Sequence, residues 1–197
     1  MPFTTDWFSN NIKRWETYVK PFLLKIQGRA NILDIAPYEG RSTCWLLDNI
    51  PRCKVTILQP STNHRVLQNM EKNLAVYGDR VKVIHGDIGI LKKIKEDSFD
   101  FIYIDMGADA RYELKAAVLA FDLLKPKGMM VFDDYTIDHL HSRASCPKSA
   151  IDAFLDHYAR FLKVIHTSWQ VILLKRTKPL SIPRCKSEYY HENLNKI

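Results

Sequence analysis

The sequence predicts one α/β domain built on a mostly parallel β-sheet with helices on both faces. Short continuous runs of Val, Ile, Leu and Phe, such as "NILDIA" and "MMVFDDY", alternate with segments of helical periodicity. Unbroken apolar runs lack the in–out alternation of a sheet with one wet face, so they belong to strands covered on both sides. The length of 197 residues, with 46% hydrophobic and 11% aromatic content, fits one domain with a sizeable core.

Each element follows from its own pattern. Phe8, Ile12, Trp15, Val19 and Phe22 recur at steps of four and three, the stripe of an amphipathic helix that ends near Gly28. Residues 31–36, 54–59, 81–87, 99–105 and 129–135 read as five strands. Helices fill the gaps: one over 41–50, one over 63–78 stopped by Gly78, and a short one after Asp87. The next helix presents Leu114, Ala117, Val118, Phe121 and Leu124. Residues 147–161 form a helix with Pro147 in its first turn. Two closing runs, 162–167 and 169–176, are near enough in sequence to pair as strands. The domain organisation is a front helix over 1–28, an α/β domain over 29–176 and an irregular basic tail over 177–197.

Composition narrows the function classes. The net charge of +7 lies at the two ends. Residues 1–29 carry five Lys/Arg against two acids, and residues 175–197 carry six against two. Such ends suit contact with nucleic acid, an acidic protein or a membrane surface, and equally a solvated basic surface. The four cysteines form no C-x-x-C pair and have no His at metal-ligand spacing, which argues against zinc and for free thiols. No apolar run is long enough to span a bilayer, and the first fifteen residues lack the layout of a signal peptide. A cytoplasmic location is expected.

Ligands of open parallel sheets bind beyond the carboxyl ends of the strands. The residues there are Asp34 to Ser42, Gln59, Gly86 with Asp87, Asp105, and Asp133 with Asp134. Gly40 lets a backbone approach a ligand, and Ser42 caps the following helix or donates to that ligand. Asp34 and Asp87 could serve as caps of nearby backbone N–H groups or as ligand contacts. Asp105, Asp133 and Asp134 should converge, and three carboxylates repel unless a cation lies among them. Oxygen ligands of this kind suit Mg²⁺. The alternative is a metal-free arrangement with Asp105 on the ligand side and Asp133 capping a loop.

The segments "DWFSNNIKRW", "YEGRSTCWLL", "SFDFIYID", "AVLAFDLLKP", "VFDDY", "AIDAFL" and "WQVILLK" occur in that order between residues 6 and 175. In this series the chain resembles the class I S-adenosylmethionine-dependent methyltransferases, in particular their small O-methyltransferase-like branch. The resemblance implies a Rossmann-like, seven-stranded sheet with the last strand inserted antiparallel, and S-adenosylmethionine as cofactor. It implies that Asp34 serves the methionine end, that Ala36, Tyr38, Gly40 and Ser42 form the cofactor turn, and that Gln59 stands at the ribose. Gly86 and Asp87 would meet the adenine, with Asp105 beside the cofactor. Asp105 and Asp133 would be catalytic, and together with Asp134 would hold Mg²⁺ that orients an acceptor hydroxyl and lowers its pKa.

Four positions depart from the pattern that this resemblance supplies. Ala36 replaces the first glycine of the turn, and its methyl group crowds the backbone. Gln59 replaces the acid that accepts the ribose hydroxyls, which costs about 1 kcal/mol of charge-assisted bonding. Ala108 stands at the histidine of "DGSH", and Lys127 replaces a glycine of "KPGG" in a loop before the fifth strand. Two readings follow: a methyltransferase acting on a small-molecule acceptor, with cofactor binding weakened, or an inactive scaffold that binds RNA or protein through its basic ends. A dehydrogenase is a poor third, since G-x-G-x-x-G is missing and Gln59 is not a ribose-binding acid. His139 and His141 in "TIDHLHSRASC" lie in a substrate lid or an ordinary loop.

Overall fold

Seven apolar runs become strands in the computed structural model, which describes residues 3–107, 109–137 and 146–181. They are β1 (Ala30–Ile35), β2 (Cys53–Gln59), β3 (Val81–His85), β4 (Phe99–Ile104), β5 (Leu124–Phe132), β6 (Leu162–Thr167) and β7 (Val171–Lys175). They form one sheet in the order β3-β2-β1-β4-β5-β7-β6, with β7 antiparallel to both neighbours and the other pairings parallel. The strand order reverses between β1 and β4, so the crevice expected of such folds opens there. Ala108, the histidines of 138–145 and the tail from 182 onward lie outside the described residues.

The pleat sends alternate residues to two separate cores. On one face Ile32, Phe101, Tyr103 and Val131 meet the front helix and the helix after β1. On the other, Leu33, Ile35, Ile102, Ile104 and Phe132 meet the helices of the second half. Both faces are apolar, which is why the strands read as continuous hydrophobic runs. Five helical segments supply the covers: α1 (Ser9 to Leu24), α2 (Arg41–Asn49), α3 (His64–Leu74), α4 (Ala110–Leu123) and α5 (Pro147–Tyr158). Short 3₁₀ turns, Ala75–Arg80 and Ile88–Lys93, precede and follow β3.

The front helix is less regular than its stripe suggests. It begins as a 3₁₀ turn, and Trp15–Val19 form a π segment. Pro21 accounts for this, because it has no N–H for the Thr17 carbonyl and the wider turn accommodates the loss. Past the π segment, Leu23 faces the core and the predicted Phe22 is only half-buried. The core face of α4 also differs from the prediction. It is formed by Ala116, Ala117, Ala120 and Phe121, whereas Leu114 is exposed and Leu124 already belongs to β5.

β5 starts five residues before its predicted beginning. Residues 125–128 bulge out of the ladder between the Phe99–Leu124 and Phe101–Met129 pairs. Lys127 therefore lies within the strand span rather than in a loop before it, and takes φ = 68°. Its left-handed backbone explains the glycine expected at that position.

Trp15 fixes the front helix to the sheet. It is fully buried, its indole stacks edge-on against Phe8, Trp45, Phe101 and Tyr103, and its Nε1 donates to Gln170 Oε1 at 3.1 Å. Trp15→Ala is expected to cost about 3–5 kcal/mol of stability in urea unfolding, the range for a fully buried aromatic. A loss under about 1 kcal/mol would show that the front helix is only loosely attached.

Candidate functional site

The turn after β1 keeps the shape of a ligand loop without its first glycine. Ala36 sits at φ = 62°, Tyr38 at 54° and Gly40 at 83°. For alanine and tyrosine the left-handed region costs about 1–2 kcal/mol each, so the surroundings must hold them there. The Ala36 N–H donates to the Leu58 carbonyl, and the Gly40 N–H to the Pro37 carbonyl. Buried Glu39 accepts from Thr4 N, Thr4 Oγ1 and Asn69 Nδ2, while its own carbonyl accepts from Asn73. Across the same turn Arg41 pairs with Asp6 at 2.8 Å and donates to Ser9.

Asp34 lies beneath this turn. Its Oδ2 accepts from Ser42 Oγ at 2.8 Å and Thr43 Oγ1 at 2.6 Å, whereas its Oδ1 is buried without a partner among the described residues. Ser42 therefore does not cap its helix, and its hydroxyl hydrogen goes to Asp34; Gly40 occupies the N-cap position. The donors to Asp34 are side-chain hydroxyls rather than backbone N–H groups. Its burial raises the pKa to about 6, against the two hydroxyl bonds.

Gln59 ends β2, and its carboxamide is turned into the protein. Nε2 donates to the Tyr38 carbonyl at 3.0 Å, and Oε1 accepts from Ser61 N at 3.1 Å. Gly86 follows β3 at φ = 144°, where a Cβ would come 2.4 Å from Ile90 Cδ1. Only glycine fits that bend. Asp87 is exposed and caps the next 3₁₀ turn by accepting from Gly89 N.

The three aspartates beyond β4 and β5 have diverged in role. Asp133 is 5% exposed. Its Oδ2 accepts from Asn11 Nδ2 at 2.8 Å and from the Tyr103 hydroxyl, and its Oδ1 accepts from Asp134 N at 2.8 Å. Burial raises its pKa, and the Tyr103 hydroxyl, the Asp134 N–H and Gln170 oppose the rise. Asp134 adopts φ = 56° at the cleft wall. Asp105 is half-buried with no side-chain hydrogen bond among the described residues, and its pKa is raised well above the usual range by burial and by Asp133, Asp134 and Glu113. Among the described residues, no set of three acidic, histidine or cysteine side chains is placed to hold a metal ion. Both Asp133 oxygens already accept from protein donors, Oδ2 from two, which leaves Oδ1 one open lone pair toward the Mg²⁺ expected here.

These residues line two adjoining hollows across the strand ends. The larger, about 1010 Å³, is bordered by Ala36, Tyr38, Gln59, Asp105, Asp133 and Asp134. The second, about 730 Å³, runs past Gln59 and Met106 to Gly86 and Asp87. Of the predicted site residues, Ala36, Tyr38, Gln59, Gly86, Asp87, Asp105, Asp133 and Asp134 thus share one crevice. Asp34 lies below it, and Gly40 shapes the turn from behind, against Leu74.

Several residues of the site were not predicted. Asn11, 1% exposed, ties the front helix to Asp133, and Arg14 and the 70%-exposed Trp7 border the larger hollow. An asparagine on the apolar stripe, three residues after Phe8, was the available signal for Asn11. Glu113 is the other omission. It is 2% exposed, its charge is favoured by the Met106 N–H, and burial still raises its pKa well above normal.

Comparison with known proteins agrees with this geometry. The methyltransferase-domain family profile matches residues 37–135, half of the chain, and the chain belongs to that family. No curated protein matches the sequence. Among solved structures, an O-methyltransferase from Bacillus cereus in complex with S-adenosylhomocysteine aligns with a TM-score of 0.65 at 20% identity, covering 88% of this chain and 84% of that one. The O-methyltransferase TomG from Streptomyces achromogenes, in complex with S-adenosylmethionine, aligns at 0.67 and 17%, over 87% and 82%. A candidate rRNA methylase from Clostridium thermocellum aligns at 0.66 and 16%, over 89% and 99%. At these identities the likeness shows a shared class I methyltransferase fold.

The buried Asp34 carboxyl makes stability depend on pH. Its folded pKa of about 6 exceeds the ordinary 3.8, so the folded state holds this proton more tightly. The resulting stabilisation is complete below about pH 4 and is lost as pH rises through about 6. Relative to wild type, Asp34→Asn should gain up to roughly 3 kcal/mol between pH 4 and 7 in urea unfolding. A difference that stays constant with pH would contradict the burial argument.

Proposed function

We propose that the chain transfers a methyl group from S-adenosylmethionine to an oxygen acceptor without a metal ion. The observation that carries this reading is the crevice itself. It follows the ends of β1, β2, β3 and β4, and it stays open although the turn has lost a glycine. The strained turn, the bare bend at Gly86 and the adjoining hollows fit an elongated nucleoside cofactor. Ala36, Tyr38 and Gln59 would border one end of it, and Gly86 and Asp87 the other. When bound, S-adenosylmethionine supplies an electrophilic methyl group on a sulfonium sulfur.

Asp105 is the group best suited to the acceptor. It lines the larger hollow, its carboxylate has no competing donor among the described residues, and its neighbours raise its proton affinity. A carboxylate whose pKa moves toward neutrality is a stronger base at the working pH. It would take the proton of an acceptor hydroxyl as that oxygen becomes nucleophilic. Asp133, held by Asn11 and Tyr103, would stiffen the wall instead of reacting. Rate acceleration would come mainly from placing the acceptor in line with the methyl group.

Isothermal calorimetry with S-adenosylhomocysteine tests the cofactor half of this proposal. Micromolar binding is expected, unchanged by millimolar Mg²⁺ or by a chelator. Gly86→Ala should weaken it by on the order of tenfold, since roughly 1–3 kcal/mol of strain falls on that bend. No binding at millimolar ligand would overturn the proposal, and binding that requires Mg²⁺ would overturn its metal-free part.

A further inference from the structure

Two of the departures from the family pattern meet in space. Ile35 and Leu58 are register partners, so Gln59 stands across from Ala36 at the head of the β1–β2 pair. The Gln59 side chain is 2% exposed although it borders the crevice. A carboxamide offers two N–H donors and one oxygen. Here Nε2 donates to the Tyr38 carbonyl at 3.0 Å and to Met70 Sδ at 3.4 Å, and the oxygen accepts from Ser61 N at 3.1 Å. Both donors and the oxygen are therefore directed at the protein.

We infer that Gln59 is a positioning residue that holds the cofactor turn in its left-handed shape and does not receive the ribose diol. This rests on the cofactor reading above. Ala36 and Tyr38 both occupy the region that glycine tolerates best, at φ = 62° and 54°. A turn with such strain relaxes unless its carbonyls are held, and the Tyr38 carbonyl is held by Gln59. An acid at position 59 could not do this, because an ionised carboxylate donates no hydrogen bond and would oppose one acceptor with another. Glutamine in place of an acid and alanine in place of glycine thus act as one unit. The diol-accepting group is given up, and a fixed turn is gained. The cofactor is then recognised by the shape of the crevice and by its two ends, with little discrimination at the ribose.

Two measurements decide this, one without ligand. In ligand-free Gln59→Ala, amide hydrogen exchange at Ala36, Gly40 and Ser61 should quicken by on the order of tenfold, as expected when a bond of about 1 kcal/mol is removed from a strained turn. Unchanged exchange at all three would overturn the positioning role. With wild-type protein, calorimetry should give S-adenosylhomocysteine and its 2′,3′-dideoxy analogue affinities within about threefold, and Gln59→Glu should not bind S-adenosylhomocysteine more tightly than wild type. A dideoxy penalty of about tenfold or more, the worth of a direct hydrogen bond, would overturn the inference, and so would tighter binding by Gln59→Glu. If neither ligand binds, the cofactor reading falls, and the ligand-free exchange alone decides what Gln59 does.

Discussion

Carboxylates wholly or partly withdrawn from water at the carboxyl ends of three parallel strands are the constraint on which this structure depends. Asp34, Asp105 and Asp133 project from β1, β4 and β5 into adjoining space, and Glu113 closes in from α4. A buried charge without a partner is costly, so each carboxylate must find a donor or keep its proton. The solutions determine how the elements join. Asp34 binds two hydroxyls at the start of α2 and thereby fastens the turn above it. Asp133 binds Asn11 and Tyr103 and thereby fastens the front helix to the sheet. Asp105 has no side-chain hydrogen bond among the described residues, and it borders the crevice.

Most of the fold was legible because the sheet is covered on both sides. Unbroken apolar runs, Gly78 as a helix stop and Pro147 as a helix start identified the elements to within a few residues. The irregular parts were harder. A π segment is a response to one proline and its neighbours, and periodicity assumes a regular helix. The bulge in β5 likewise depends on how residues 125–128 leave a ladder that only the neighbouring strand defines.

Legibility of the site was uneven for a different reason. Strand ends told which residues would gather, and eight of the predicted positions do share the crevice. Sequence could not tell which carboxylates would be consumed by donors from distant segments. Asn11 reaches Asp133 across 122 positions of chain, and Trp15 reaches Gln170 across 155. For this reason the three aspartates suggested a metal site, although one of them is a structural anchor. Gln59 illustrates the same limit. Its identity showed that a charge had been lost, but only its contacts show what replaced that charge.

The departures of this chain consequently have a physical order. Ala36 introduces strain, Gln59 and Glu39 restrain the turn that carries it, and the crevice beyond remains open. A family site can lose a glycine and an acid together and still keep its outline, provided that the lost flexibility and the lost acceptor are replaced by internal bonds. On the proposed reading, the basis of recognition changes from a charged acceptor at the ribose to shape.

The most direct test of this account is a titration of the isotopically labelled protein with S-adenosylhomocysteine, followed by amide chemical shifts. The account predicts saturating shifts at residues 36–40, 59–61, 86–87 and 106–107, with little change at Gly28, Arg29 and Arg52 on the opposite end of the sheet. Shifts confined to that opposite end, or none at saturating ligand, would contradict it.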